Sequence, residues 1–133
     1  MNDPIEYLDL DDLVDLARIL LGDPPLIRDV GLLGSAAARP QTTAFGEDAY
    51  PDLLTKAAAL LQSIVNNHAL VDGNKRLGWL ATAVFLELNG VKASRASNDD
   101  VYELVIWIAS SNPDLDDITT RLRTVVRPRP PRR

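Results

Sequence analysis

Apolar residues recur along this chain at the three- and four-residue spacing of helix faces, and the interruptions fall on glycine, proline and capping residues. Leu13, Leu16, Ala17 and Leu20 share one face of a first helix over Leu10–Leu21, with Asp9 at its N-cap and Gly22, Pro24 and Pro25 to end it. A short helix is expected over Val30–Ala38. Residues 39–50 hold Pro40, Gly46, several polar side chains and one aromatic, Phe45, and read as an ordered loop or small hairpin. The repeat Leu53, Leu54, Ala57, Ala58, Leu60, Leu61, Ile64 and Val65 then makes a face wide enough for a buried central helix over residues 51–67, with Pro51 suited to its first turn. After a polar break at 68–73, a second apolar helix covers residues 74–88 and stops at Asn89-Gly90. Residues 91–94 read as a short extended piece. Ser97 or Asn98 caps a fifth helix to about residue 110, and Asp99, Asp100 and Glu103 sit favourably near its positive end. Pro113 opens a sixth helix to about residue 126. No alternating strand and no internal repeat stands out. The expected fold is all-α: one compact bundle of about six helices over residues 1–126, with a short flap loop or hairpin.

Composition narrows the picture. A chain of 133 residues with 46% hydrophobic residues can build a single core. It has no cysteine, which excludes disulfides and thiolate metal sites and suits a reducing cytoplasm. No secretory signal is expected in residues 1–8, and no apolar run approaches the ~20 residues of a membrane helix. The net charge of −5 argues against direct nucleic-acid binding by the body of the protein. The charge is uneven. Asp3, Glu6, Asp9, Asp11, Asp12, Asp15 and Asp23 face only Arg18 in residues 1–23, whereas residues 127–133 contain only arginine and proline and read as a disordered basic tail.

The chemistry concentrates in the break between the two most apolar helices, His68-Ala69-Leu70-Val71-Asp72-Gly73-Asn74-Lys75-Arg76. Gly73 permits an unusual backbone angle and a close approach. The amides of Gly73, Asn74 and Lys75 open a helix, where unpaired N–H groups bind anions. Lys75 and Arg76 add positive charge at the same place. Asp72 offers a carboxylate to a hard cation such as Mg²⁺, or alternatively an N-cap to the helix; the two roles are compatible. His68 is the single histidine of the chain, and histidine is the side chain suited to taking a proton near neutral pH. These are the parts that phosphoryl or nucleotidyl transfer requires. Trp79, Phe85 and Trp107 read as core residues, and Phe45 as either a flap anchor or a packing residue.

Histidine, an apolar residue two positions on, then Asp-Gly-Asn-x-Arg resembles the signature of the Fic/Doc superfamily. Lys75 stands where the Fic branch has its second glycine and is similar to the Doc, or death on curing, branch of toxins. The stretches Ile27-Arg28-Asp29-Val30-Gly31-Leu32-Leu33, Ala38-Arg39-Pro40-Gln41 and Phe45-Gly46 resemble the region before the motif, so the likeness spans most of residues 5–126. It implies ATP and Mg²⁺ as cofactors, with His68 as the base that deprotonates a target hydroxyl. Asp72 would hold Mg²⁺ against the phosphates, Gly73 and Asn74 would form the anion nest, and Arg76 would neutralise phosphate charge. Lys75 goes with ATP bound in the reverse sense and transfer of the terminal phosphate. Arg39, Pro40, Gln41 and Phe45 would belong to a flap that docks the target's strand by backbone pairing.

In the Doc branch the target is a threonine of elongation factor Tu, translation stops, and a Phd-like antitoxin folds its tail into a groove on the toxin. Leu70 replaces the family's phenylalanine as a core anchor, Trp79 falls where the Fic signature has its second arginine, and Leu80 replaces a polar residue of Doc. The inhibitory pattern of many Fic proteins is matched only by Thr43, Glu47 and Asp48 and fails at its last position, so a separate antitoxin is expected. A Fic-type AMP transferase, and a catalytically weak binding module neutralised by an antitoxin, are the other readings.

Overall fold

Side-chain caps set where the helices begin in the computed structural model, which describes residues 4–127. Helix α1 (Leu10–Leu21) opens with a reciprocal box: Asp12 N–H donates to Asp9 Oδ1 at 2.8 Å and Asp9 N–H to Asp12 Oδ2 at 2.9 Å. Asp29 caps α2 (Val30–Ala38) through Leu32 N–H. A 3₁₀ turn (Arg39–Gln41) and a two-stranded hairpin, β1 (Thr43–Ala44) and β2 (Glu47–Asp48), lead to α3 (Leu53–Asn67). Then come α4 (Asn74–Leu88), a 3₁₀ turn (Ala93–Arg95), α5 (Asn98–Ser111) capped by Ser97, and α6 (Leu115–Val126) capped by Asp114. The expected all-α bundle is therefore observed, with six α-helices among the described residues. The expected basic tail lies outside the described residues, apart from Arg127.

Three boundaries differ from the sequence expectation, each for a local reason. Pro51 lies outside α3, because Asp52 occupies the N-cap and its carbonyl accepts the first helical bond from Lys56 N–H at 3.0 Å. Pro113 precedes α6, where its carbonyl accepts from Gln62 Nε2 at 3.2 Å while Asp114 caps the helix. Residues 91–94 are turned, not extended. Val91 N–H closes onto Leu86 carbonyl, and Ser94 N–H donates to Glu87 Oε2 at 2.8 Å, a bond that holds the Glu87 carboxyl below its ordinary range.

Helix α3 is the central element, flanked by α2, α4, α5 and α6, and it packs most extensively against α4. Leu60, Leu61, Ile64, Leu77, Ala81 and Phe85 are wholly buried between and around them. Gly78 lets α3 and α4 come close: a Cβ there would stand 2.9 Å from Val65 Cγ2 and 3.4 Å from Leu61 Cδ1. No helix among the described residues is long and apolar enough to cross a membrane. Gly78→Val is expected to overpack this contact and to destabilise the fold by about 1–3 kcal/mol, read as a lower denaturant midpoint at unchanged slope.

Candidate active site

The motif lies at the turn between α3 and α4, and the backbone there is held from two sides. Helix α3 ends because His68 enters the left-handed region at φ 55°, ψ 41°. Residues 26–29 then run alongside the loop. Ile27 bridges Leu70 in antiparallel fashion, and Arg28 and Asp29 N–H both donate to Ala69 carbonyl at 2.8 and 3.0 Å. Val71 N–H donates to Leu26 carbonyl at 3.1 Å. From the other side, Asn74 Oδ1 accepts from Leu70 N–H at 3.0 Å and Asn74 Nδ2 donates to Leu70 carbonyl at 3.1 Å. The Leu70 side chain is fully buried, the core anchor its position called for. The Asn74 side chain thus braces the loop, where the resemblance implied that it also orients phosphate; its oxygen and one amide N–H are committed to Leu70.

Gly73 sits at the N-cap of α4 with φ 88°, and a Cβ on it would stand 2.7 Å from Leu21 Cδ2. Asp72 Oδ1 accepts from Gly73 N–H at 2.8 Å, leaving Oδ2 without a partner among the described residues. The first helical bond of α4 runs from Leu77 N–H to Gly73 carbonyl at 2.9 Å, so the amides of Asn74, Lys75 and Arg76 precede the ladder. A cavity of about 320 Å³ opens here, lined by His68, Asp72, Gly73, Asn74, Lys75 and Arg76 among others. The fold therefore brings the residues singled out in the motif to one concavity. His68, Asp72, Lys75 and Arg76 are exposed in it, and neither cation forms a salt bridge among the described residues. Open helix amides with two unpaired cations suit a polyanion. A single carboxylate beside them suits Mg²⁺, which is commonly held by one or two carboxylates together with substrate phosphates. No group of three or more His, Asp or Glu side chains among the described residues makes a separate metal cage.

The flap has two distinct parts. Arg39 points inward: Nη1 donates to Ala59 carbonyl at 3.1 Å and to Ser63 Oγ at 3.0 Å, Nε to Tyr50 Oη at 3.3 Å, and the guanidinium lies over the Tyr50 ring. Pro40 is buried. These two residues, placed on the docking flap by the resemblance, anchor its base to α3 instead. Gln41 and Phe45 are exposed, Phe45 completely so at 106%. It occupies the first central position of the hairpin turn with φ 55°, followed by Gly46 at φ 81°, which excludes a packing role for it. The partial match to an inhibitory pattern lies on this hairpin, not on a helix.

Lys56 was not legible as part of the flap. It is 1% exposed, with Nζ 3.1 Å from Asp48 Oδ2, 3.5 Å from Pro40 carbonyl and 5.7 Å from the centre of the Tyr7 ring. Its one sequence signal is a lone cation inside the apolar run of α3. Phe85 is core as expected, but Trp79 and Trp107 are only half-buried. Trp107 carries the Arg121 guanidinium on its face at 4.7 Å, and Trp79 lines a groove beside the motif.

A histidine, an open helix start with two cations and a carboxylate thus line one cavity on a helical scaffold. The sequence pattern of the Fic/DOC family matches residues 7–86, and the chain belongs to that family. It is 49% identical over 118 residues to Toxin Doc of Mycolicibacterium smegmatis (strain ATCC 700084 / mc(2)155), covering 88% of this chain and 91% of that relative, and is of the Doc type.

Asp48→Ala strands the buried Lys56 ammonium and is expected to cost about 1–3 kcal/mol. Lys56→Met added to it should recover much of that loss, because an apolar side chain in the place of the buried ammonium leaves no charge without a partner. Thermal or denaturant unfolding of the single and double variants measures the difference.

Proposed function

We propose that this chain is the toxin of a toxin–antitoxin pair, a cytoplasmic protein kinase that transfers the terminal phosphate of ATP to a protein hydroxyl and so arrests translation. The observation that supports it best is the gathering of His68, Asp72, Lys75, Arg76 and the open amides of α4 around one cavity. His68 takes the proton of the target hydroxyl as its oxygen bonds to the terminal phosphorus. The bond from that phosphorus to the bridging oxygen breaks, and ADP leaves. Arg76, Lys75 and the α4 amides hold the negative charge throughout. Asp72 would hold Mg²⁺, which supplies charge neutralisation between the phosphates.

Terminal-phosphate transfer is favoured over AMP transfer because Lys75 replaces the Fic glycine and Trp79 the second Fic arginine. The proposed target is a threonine of elongation factor Tu, as in the Doc branch. Its strand would pair with the exposed hairpin edge, with Gln41 and Phe45 beside it. A Phd-like antitoxin would supply the control, since the partial match to the inhibitory pattern lies on a hairpin.

The backbone at His68 supports a working role for that side chain. A non-glycine residue in the left-handed region costs roughly 1–2 kcal/mol, and glycine would end α3 more cheaply. His68→Gly should therefore keep stability within about 1 kcal/mol of the parent while abolishing transfer. The assay uses Mg²⁺, elongation factor Tu and ATP labelled at the terminal or the innermost phosphate. Terminal label on the target, lost in His68→Gly, is the expected result; innermost label would make the protein an AMP transferase, and no transfer of either label would favour the binding module. The same logic applies at the hairpin tip. Phe45→Asn should strengthen the turn by a few tenths of a kcal/mol or more, yet raise the KM for the target protein at unchanged KM for ATP.

A further inference from the structure

Beside the motif cavity lies a second and larger concavity whose apolar and aromatic lining has no part in the mechanism above. It is a groove of about 470 Å³ between α4 and α5, closed at one edge by Leu20 of α1. Lys75 and Arg76 line both it and the motif cavity, so the two spaces adjoin at the first turn of α4. Beyond the cations the lining becomes apolar and aromatic, with Trp79 and Leu80 from α4 and Val101 and Tyr102 from α5. Trp79 follows Arg76 by three positions and Lys75 by four, which puts all three on neighbouring rows of one helix face. Trp79 is half-buried and Tyr102 is 65% exposed, so both present aromatic surface to the groove.

We propose that this groove receives the nucleoside of the phosphate donor, with the base stacked against Trp79 and Tyr102. The inference rests on the reading of the motif cavity as the phosphate site. A triphosphate seated at the start of α4 would place its nucleoside in a space that adjoins that cavity, as this groove does through Lys75 and Arg76. A further concavity next to it, bounded by Leu21, Pro24, Leu26, Asp72 and Arg76, measures about 200 Å³. That is below the ~300–1,000 Å³ of small-molecule sites, whereas the α4–α5 groove falls inside that range.

Charge selects the same occupant. Two unpaired cations at the mouth of an apolar aromatic slot suit a ligand that is polyanionic at one end and flat and apolar at the other. A purely apolar protein segment would leave Lys75 and Arg76 without a counter-charge. Trp79 fits this polarity: a ring in place of an arginine gives up a phosphate contact and offers a stacking face. Asn98, the first residue of α5, and the Tyr102 hydroxyl are the polar groups within reach of a base or ribose in the groove.

The test uses the full chain carrying Trp107→Phe, which leaves Trp79 as the single tryptophan. ATP with Mg²⁺ is expected to quench Trp79 fluorescence, while inorganic tripolyphosphate displaces ATP and restores the signal. By calorimetry, Trp79→Leu should weaken ATP binding about ten-fold, the loss typical of one stacking aromatic. Its affinity for tripolyphosphate should match the parent, which also shows that the variant is folded. Trp79→Phe should restore most of the ATP affinity. If tripolyphosphate displaces ATP but Trp79 is unperturbed and Trp79→Leu binds ATP like the parent, the nucleoside lies elsewhere and the inference is wrong, while the phosphate site stands. If neither ATP nor tripolyphosphate binds, the phosphate reading fails and takes the inference with it.

Discussion

The site depends on how the chain is held between two buried helices. A polar loop at that position would leave its backbone groups unpaired near the core, at a cost of one to a few kcal/mol each. The molecule meets this constraint with two sets of hydrogen bonds. Residues 26–29 lie along 69–71 like a fragment of sheet, and the Asn74 side chain closes on both backbone groups of Leu70. With Leu70 also anchored in the core, the positions of His68 before it and of Asp72 and Gly73 after it follow. The asparagine of the motif is thereby a structural brace, while the amides that open α4 and the two cations remain without partners among the described residues.

Close packing then fixes the direction in which those amides point. Gly78 allows α4 to settle against Val65 and Leu61 of α3, and Gly73 allows the first turn of α4 to pass beneath Leu21 at the end of α1. A side chain at either glycine would push α4 away from its neighbours. The two contacts come from different neighbours, so the start of α4 is held from α1 and α3 together. Because the core is dense and does not deform smoothly, a helix start located this way keeps its amides aimed at one point, as electrostatic stabilisation of a transferring group needs.

Two residues carry local strain that the fold does not require. His68 at the end of α3 and Phe45 at the hairpin tip both adopt left-handed backbone angles that glycine or asparagine would accept more readily. Both are exposed, and so return little hydrophobic stabilisation for that cost. One lies in the motif cavity and the other stands at the tip of the hairpin. The hairpin that carries Phe45 is tied down by Arg39 on Ala59 and Ser63 and by Lys56 under Asp48, so its tip is presented on a fixed base.

By itself the sequence determined the helices, their order and the chemical motif. Periodicity, caps and helix stops depend on residues within a few positions of one another, and so α1, α2 and α4 appear at the bounds their residues announce. The motif was legible for a similar reason, since its residues are consecutive and their resemblance to one family is local. Tertiary structure decided what depends on residues far apart in the chain. It turned Arg39 and Pro40 inward, buried Lys56, exposed Phe45, committed the Asn74 side chain to Leu70 and left Trp79 at the rim of a groove. A side chain with both polar and apolar parts has no preferred partner in the sequence alone. Only the elements packed around it settle whether its hydrogen bonds and charge are met by the fold or offered to a ligand.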